Sequence, residues 1–243
     1  MNYRNLVKRA YGYAGRLIFP EDLSSSKTME GAVSRSCYER GISPTTIIDV
    51  GAAEGKWSLL AKRYWNKSNY ILFEPLEERK SILENICKLN PGFYFVNKGA
   101  GERMGQSDFY ITKDLDGSGI SDNNLNTIKR KINLTSIDEE IQRMNLKGPY
   151  IIKLDTHGYE VPILEGSKQV MQNTQLLIIE CYGFRLSQNT LFFWEMCDYL
   201  KEKGFRPIDV VDVSLRKRDN AFWQCDIFFI PDNSEIFMSN TYD

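Results

Sequence analysis

The sequence predicts an α/β fold, a mostly parallel sheet with helices on both faces. Three observations carry that prediction. Short apolar runs alternate with helical segments from Thr45 onward. The first run ends in a glycine turn, Asp49-Val50-Gly51-Ala52-Ala53-Glu54-Gly55, where a strand gives way to a helix. The second run ends in an acid, Glu74.

Taken in order, residues 1–44 read as a helical extension. Leu6, Ala10, Tyr13 and Leu17 share one helical face, with Arg4, Lys8 and Arg9 away from it. Ser24, Ser25 and Ser26 read as a loop or cap, and a second short helix follows over 28–39. The basic amphipathic pattern suits a helix packed on the core or one in peripheral contact with a membrane. Core packing is the plainer reading.

Residues 45–232 form the main domain. Strands are expected at 46–50, 70–73 and 93–96, with helices at 57–64 and 77–88 between them. Residues 112–133, rich in Asp, Asn, Ser and Gly, read as a polar insertion or lid. A helix at 137–144, a strand at 150–154, a helix at 162–171 and a strand at 176–180 resume the alternation. A helix at 191–203, stopped by Gly204, precedes a hairpin-like pair at 205–213 and 221–230. Residues 233–243 read as a tail.

Composition narrows the function. The chain has 243 residues, 42% hydrophobic and 26% charged, which suits a globular domain without staples. Lys and Arg number 31 against 32 Asp and Glu, so a global basic field for nucleic acid is lacking. The Lys129-Arg130-Lys131 patch reads as solvated helix surface. No apolar run approaches the ~20 residues of a membrane span. The five cysteines (Cys37, Cys87, Cys181, Cys197, Cys225) form no C-x-x-C pair. That argues against a zinc site or a disulfide framework and for a cytoplasmic protein.

The glycine turn lies at the ligand crevice of an open sheet. Gly51 and Gly55 allow close backbone approach, and Glu74 is placed to accept a ribose diol. The ligand should therefore hold a nucleoside. The spacing is G-x-x-x-G, without the third glycine of a dinucleotide fingerprint, and no G-K-[ST] follows. A phosphate beside Glu54 would also meet a like charge, roughly 4 kcal/mol at ~4 Å and an effective dielectric near 20. A cationic, phosphate-free nucleoside avoids that conflict, and Asp49 and Glu54 favour it. S-adenosyl-L-methionine is such a ligand. Pro75, Lys98 and Gly99, with Ala52, complete the expected cofactor contacts, the adenine lying near 97–100.

The runs 47–55, Phe73-Glu74-Pro75, Lys153-Leu154-Asp155-Thr156-His157-Gly158-Tyr159-Glu160 and Leu164-Glu165-Gly166 together resemble the FkbM-type methyltransferases. Leu134-Thr135-Ser136-Ile137-Asp138 resembles that family's T-x-L-D segment, with isoleucine for leucine. The resemblance spans 45–230 and implies the class I methyltransferase fold, a seven-stranded sheet whose last strand is antiparallel. It also implies O-methylation of varied acceptors, many of them sugars or polyketides. His157 departs from the pattern, standing where relatives often carry an acid or amide.

An alcohol must lose a proton to accept a methyl group. His157, the chain's only histidine, is the candidate base. Asp155 is expected to orient it, to serve as base itself or to touch the donor's ammonium. Glu160 reads as a helix-capping carboxylate. Glu180 is expected to hold an acceptor hydroxyl or a neighbouring loop. The alternative is metal assistance through Asp155, Glu180 and Asp226, though no tight ligand triad is evident and the main reading has no metal. Tyr110, Tyr182, Phe184 and Arg185 point to a hydroxyl-rich acceptor, a sugar, glycan or other small molecule. A nucleoside-binding protein without catalysis, or a nicotinamide oxidoreductase, are the rival classes. Oligomeric state is left open.

Overall fold

The computed structural model describes residues 27–120, 127–187 and 190–242. The expected N-terminal helix over Leu6–Leu17, the serine loop and any membrane contact through them lie outside the described residues, as does part of the 112–133 insertion.

The first described helix is α1 (Met29–Tyr38), capped by Thr28, whose Oγ1 accepts from the Gly31 amide. Then come β1 (Thr46–Val50), α2 (Lys56–Lys62), β2 (Asn69–Phe73), α3 (Glu77–Leu89), β3 (Phe93–Val96) and β4 (Gly99–Ala100). They are followed by β5 (Gly105–Ile111), β6 (Ile128–Thr135), α4 (Ile137–Met144), β7 (Tyr150–Leu154), α5 (Glu160–Glu165) and α6 (Lys168–Met171). The chain closes with β8 (Thr174–Tyr182), α7 (Phe193–Glu202), β9 (Phe205–Leu215) and β10 (Phe222–Pro231).

Seven strands form one sheet in the order β3-β2-β1-β7-β8-β10-β9. The first five are parallel, and β10, the last strand, runs antiparallel to both β8 and β9. This is the architecture the alternating pattern and the resemblance led one to expect. Strands β1 and β7 are buried along their whole length, as parallel strands covered on both faces must be. One face packs Ile48, Ile71, Ile152 and Phe229 beneath α4, α5 and α7. The other packs Ile47, Tyr70, Ile151 and Phe228 beneath α1, α2 and α3. Burial of each such side chain contributes roughly 1.5–3 kcal/mol.

Several elements differ from expectation. A second, three-stranded sheet (β4-β6-β5) stands beside the first. Its strand β6 occupies the end of the expected polar insertion, and Lys129, Arg130 and Lys131 lie on that strand, not on a helix. Ile132 and, less fully, Arg130 and Leu134 turn inward while Lys129, Lys131 and Asn133 stay exposed, a half-buried strand's alternation. The helix expected at 162–171 is two, broken at Gly166. A Cβ there would come 2.1 Å from the Gly101 carbonyl oxygen, and the Gly166 carbonyl accepts from the Asp138 amide. In the expected tail, Phe237 packs on the core with the Arg206 guanidinium 4.0 Å above its ring.

Strand β9 is a sheet edge. It carries Pro207, a left-handed Asp212 (φ 49°) and register shifts against β10. Helix α1 and the residues flanking it are tied to it: Arg35 in the helix and Arg40 just after it pair with Asp209, and the Asp212 amide donates to the carbonyl of Lys27, just before it, at 2.9 Å.

Replacing Gly166 by Ala should lower stability by ~1–3 kcal/mol, because backbone atoms must give way. A fall in the urea midpoint with an unchanged slope checks this.

Candidate active site

Four parallel strands end their runs at one edge, and a cavity of about 290 Å³ opens there. Gly51 follows β1, Glu74 follows β2 and Asp155 follows β7. His157 lies just beyond, and Glu180 projects from β8. The second sheet supplies another wall through Gly99, Phe109 and Ile132. Of the residues singled out from sequence, Gly51, Glu74, Pro75, Gly99, Asp155, His157 and Glu180 line this one cavity.

Asp49, Ala52, Glu54, Gly55 and Lys98 do not, and each has a local reason. Asp49 sits inside β1, fully buried, and accepts from Ser58 Oγ at 2.7 Å. The Ala52 amide is spent on the Phe73 carbonyl. Glu54 turns outward to Lys56 at 2.7 Å. Gly55, left-handed at φ 72°, is tucked under Leu83 and Ile86. Lys98 pairs with Glu140 at 3.1 Å. The turn's N–H groups are also less available than expected: Gly51 donates to Phe73 and Ala53 to Glu74. What glycine provides at 51 is closeness. A Cβ there would lie 2.0 Å from the Asp155 carbonyl oxygen, so the turn seats directly on the end of β7.

Glu74 is held rigidly. Its two carboxylate oxygens accept from the Ala53 amide at 3.0 Å and the Leu76 amide at 2.9 Å. Burial pushes its pKa up to about 7, against the pull of those two hydrogen bonds. Each oxygen keeps a further lone pair for a ligand hydroxyl.

Lys153 does not line the cavity but holds Asp155, which does. It is a charged residue in an otherwise apolar strand, 5% exposed. Register places it beside Asp49 on β1. Its Nζ lies 3.0 Å from Asp155 and 3.8 Å from Asp49, and 5.7 Å from the centre of the Trp57 ring. Burial would lower its pKa, but the charges of Asp155 and Asp49 outweigh that and raise it. Asp155 is correspondingly held below the usual carboxylate range, burial being overcome by Lys153 and His157. Asp49 is the reverse case: burial dominates and raises it. Asp226, opposite Glu180 on β10, is pushed up to about 7 by burial, with the Glu180 charge adding to the effect and Lys153 opposing it.

His157 adopts a left-handed conformation (φ 55°), followed by Gly158 at φ 100°. That double reversal throws the imidazole back over the cavity. Its Nδ1 donates toward the Tyr182 hydroxyl oxygen at 2.8 Å and Glu180 Oε2 at 3.2 Å. Its Nε2 donates to the Asp116 carbonyl at 2.6 Å. Glu180 also accepts from the Tyr182 hydroxyl and from Gln224. The partner of the imidazole is thus Glu180, not Asp155 as the sequence suggested. Asp155 is engaged by Lys153, two residues before it and so on the same face. Burial would lower the imidazole's pKa, but the hydrogen bond and charge of Glu180, with Asp155 and the Asp116 carbonyl, raise it to about 9. Both ring nitrogens face acceptors, which is a site for imidazolium. Glu160 is buried in the first turn of α5 and accepts from the Gly158 amide and the Thr156 hydroxyl, so it braces the preceding loop, and α5 has no side-chain cap where one was expected.

Asp155, His157 and Glu180 each present one ligand atom, all within 4.8 Å of one another. Among the described residues this is a set that fits a divalent cation, with His157 in the place expected of Asp226. Gln224 and the Asp116 carbonyl were not foreseen. Lys153 carried a signal, a charge inside an apolar run.

A model of the Methyltransferase FkbM domain matches residues 49–207. A search of curated proteins finds no match. Among solved structures, magnesium protoporphyrin IX methyltransferase from Synechocystis PCC 6803, with bound S-adenosylmethionine, is similar at 10% identity and a TM-score of 0.47. That match covers 82% of this chain and 76% of the other. The 1,6-didemethyltoxoflavin-N1-methyltransferase of Burkholderia thailandensis is similar at 9% identity and a TM-score of 0.47, covering 94% and 88%. Precorrin-6y C5,15-methyltransferase of Geobacter metallireducens GS-15 follows at 11% identity and 0.45, covering 82% and 86%. The reactions named are those proteins' own. No described helix is long and apolar enough to cross a membrane.

The raised groups set the pH dependence of stability. His157, Glu74 and Asp226 each bind protons more tightly folded than unfolded. The His157 share is full below pH 6.5 and lost as pH rises through about 9. The two carboxyls act lower, costing stability as pH rises from their ordinary values through about 7. The urea midpoint of the wild type should therefore fall from pH 5 to 9. His157→Gln should flatten the decline above 6.5 and leave that below it.

Proposed function

Because the chain belongs to the FkbM methyltransferase family, which uses S-adenosylmethionine, we propose that it methylates a hydroxyl of a sugar, glycan or other small molecule, with His157 as the base. One observation carries the reading: the only histidine stands at the cavity's edge with Nδ1 anchored by Glu180 and Tyr182.

The cavity suits the donor. Its carboxylates Glu74, Asp155 and Glu180 face a ligand carrying a sulfonium and an ammonium, and Gly51 and Gly99 keep the walls close. Glu74 would hold the ribose hydroxyls, with Pro75 and Gly99 beside the adenine, and Asp155 would meet the ammonium. When bound, the donor supplies an activated methyl carbon for in-line transfer to oxygen.

The chain's part is alignment and proton removal. Glu180 keeps Nδ1 protonated and pointed inward, so that Nε2 is the nitrogen that can take the acceptor's proton. Nε2 faces the Asp116 carbonyl, an acceptor that only a protonated Nε2 can meet. It becomes a base once that proton is lost, which the raised pKa places near the alkaline end of the range. With the donor bound and an acceptor hydroxyl against His157, Nε2 would take the acceptor proton as the oxygen gained the methyl group.

A second reading rests on the three converging ligand atoms. A divalent cation at Asp155, His157 and Glu180 would displace the imidazole proton and lower the acceptor's pKa instead. Undiminished turnover in excess EDTA removes it.

A mass-spectrometric screen for the gain of one methyl group across sugars, glycans and simple alcohols tests the acceptor class. With an acceptor in hand, kcat/KM should climb with pH toward about 9. His157→Gln should cut the rate by roughly 10²–10⁴ and abolish that limb. Near-wild-type turnover of the variant across pH would refute the base. Separately, Glu74→Gln should weaken donor binding by roughly 10- to 100-fold in calorimetry, as a charged hydrogen-bond acceptor is lost. Donor binding without turnover on any acceptor would favour a binding protein without catalysis.

A further inference from the structure

The roof of the cavity is the turn 112–120. Leu115, Asp116, Ser118 and Ile120 face the cavity, and Leu115 and Ile120 pack on the small apolar cluster of Leu76, Phe109, Ile111 and Ile132. The stem is fixed to β5, where Tyr110 and Gly119 exchange backbone hydrogen bonds at 2.8 and 3.1 Å. The tip is held by one residue acting twice. The Asp116 carbonyl accepts from His157 Nε2, and the Asp116 carboxylate pairs with Arg79.

Arg79 is an odd residue to find there. Its side chain is 6% exposed, its Nε has no hydrogen-bond partner, and its ion-pair partner among the described residues is Asp116. It stands in the first turn of α3, where its amide donates to the Leu76 carbonyl at 3.1 Å. Leu76 in turn donates to Glu74. Roof and ribose-binding acid are thus joined through a short stretch of chain.

We propose that Arg79 and Asp116 are positioning residues that latch this roof over His157, and that the acceptor hydroxyl replaces the Asp116 carbonyl on Nε2 when the latch opens. The inference rests on the reading of His157 as the residue that meets the acceptor. Steric logic supports it: Nδ1 is committed to Glu180 and Tyr182, so Nε2 is the nitrogen left for an acceptor, and the roof covers it. An ion pair with one partner open to solvent, as Asp116 is at 77%, is weak enough to open thermally and still bias the population.

The test needs no substrate. With one histidine in the chain, carbethoxylation by diethyl pyrocarbonate, assigned to the imidazole by peptide mass spectrometry and so separated from lysine, tyrosine and cysteine adducts, reports on His157. The rate is followed to its alkaline limit, where the imidazole is neutral, so that access and not protonation is read. Asp116→Asn should raise the limiting rate roughly fivefold, Asp116→Glu should restore it toward wild type, and Lys113→Gln, in the same turn, should leave it unchanged. An Asp116→Asn rate equal to wild type, or a Lys113→Gln rate raised as much as Asp116→Asn, overturns the latch. Should His157→Gln keep full turnover, the base reading fails while the modification rates still decide the latch.

Discussion

A single buried ammonium organises the reactive edge of this protein. Lys153 lies in the middle layer of the sheet, flanked by Asp49 and Asp155. An ammonium in such a place is tolerated only with its partners present, since an isolated buried ion costs several kcal/mol. The arrangement therefore fixes more than charge. It pins the β1 and β7 registers, sets Asp155 beside the glycine turn, and leaves that acid ionised at the cavity mouth.

From that anchor the rest of the site follows by short chain paths. Two residues after Asp155 the backbone reverses through two left-handed residues, which aims the imidazole at β8. There Glu180, itself held by Tyr182 and Gln224, receives it. A positive φ at a non-glycine residue is strained, and strain of this sort persists where surrounding contacts over-determine it. Here the contacts are those of His157 with Glu180, Tyr182 and the Asp116 carbonyl.

Much of this was legible in the sequence because it is local. Glycines at a strand-to-helix turn, an acid ending the next strand and a lone histidine past the fourth parallel strand are all short-range signals. What escaped is non-local or lies in the backbone. Gln224 reaches Glu180 from an antiparallel strand far along the chain, and Asp116 acts through a carbonyl, which every residue has. Strand β5 opens Gly105-Gln106-Ser107-Asp108 and is mostly half-exposed, so its pattern resembles a loop. In the sequence the charge of Asp49 points to the cofactor, whereas its position within a fully buried strand sets it beside Lys153.

The outer rim of the sheet has a separate consequence. A parallel sheet that simply stopped would present a row of free amides and carbonyls to any extended chain nearby, inviting aggregation. Strand β9 does not offer such a template. Proline at 207 removes a donor, Asp212 and the bulges against β10 bend the strand, and α1 is fastened along it through Asp209 and Lys27. The same helix that packs on the hydrophobic core thereby keeps the sheet from growing at its β9 edge.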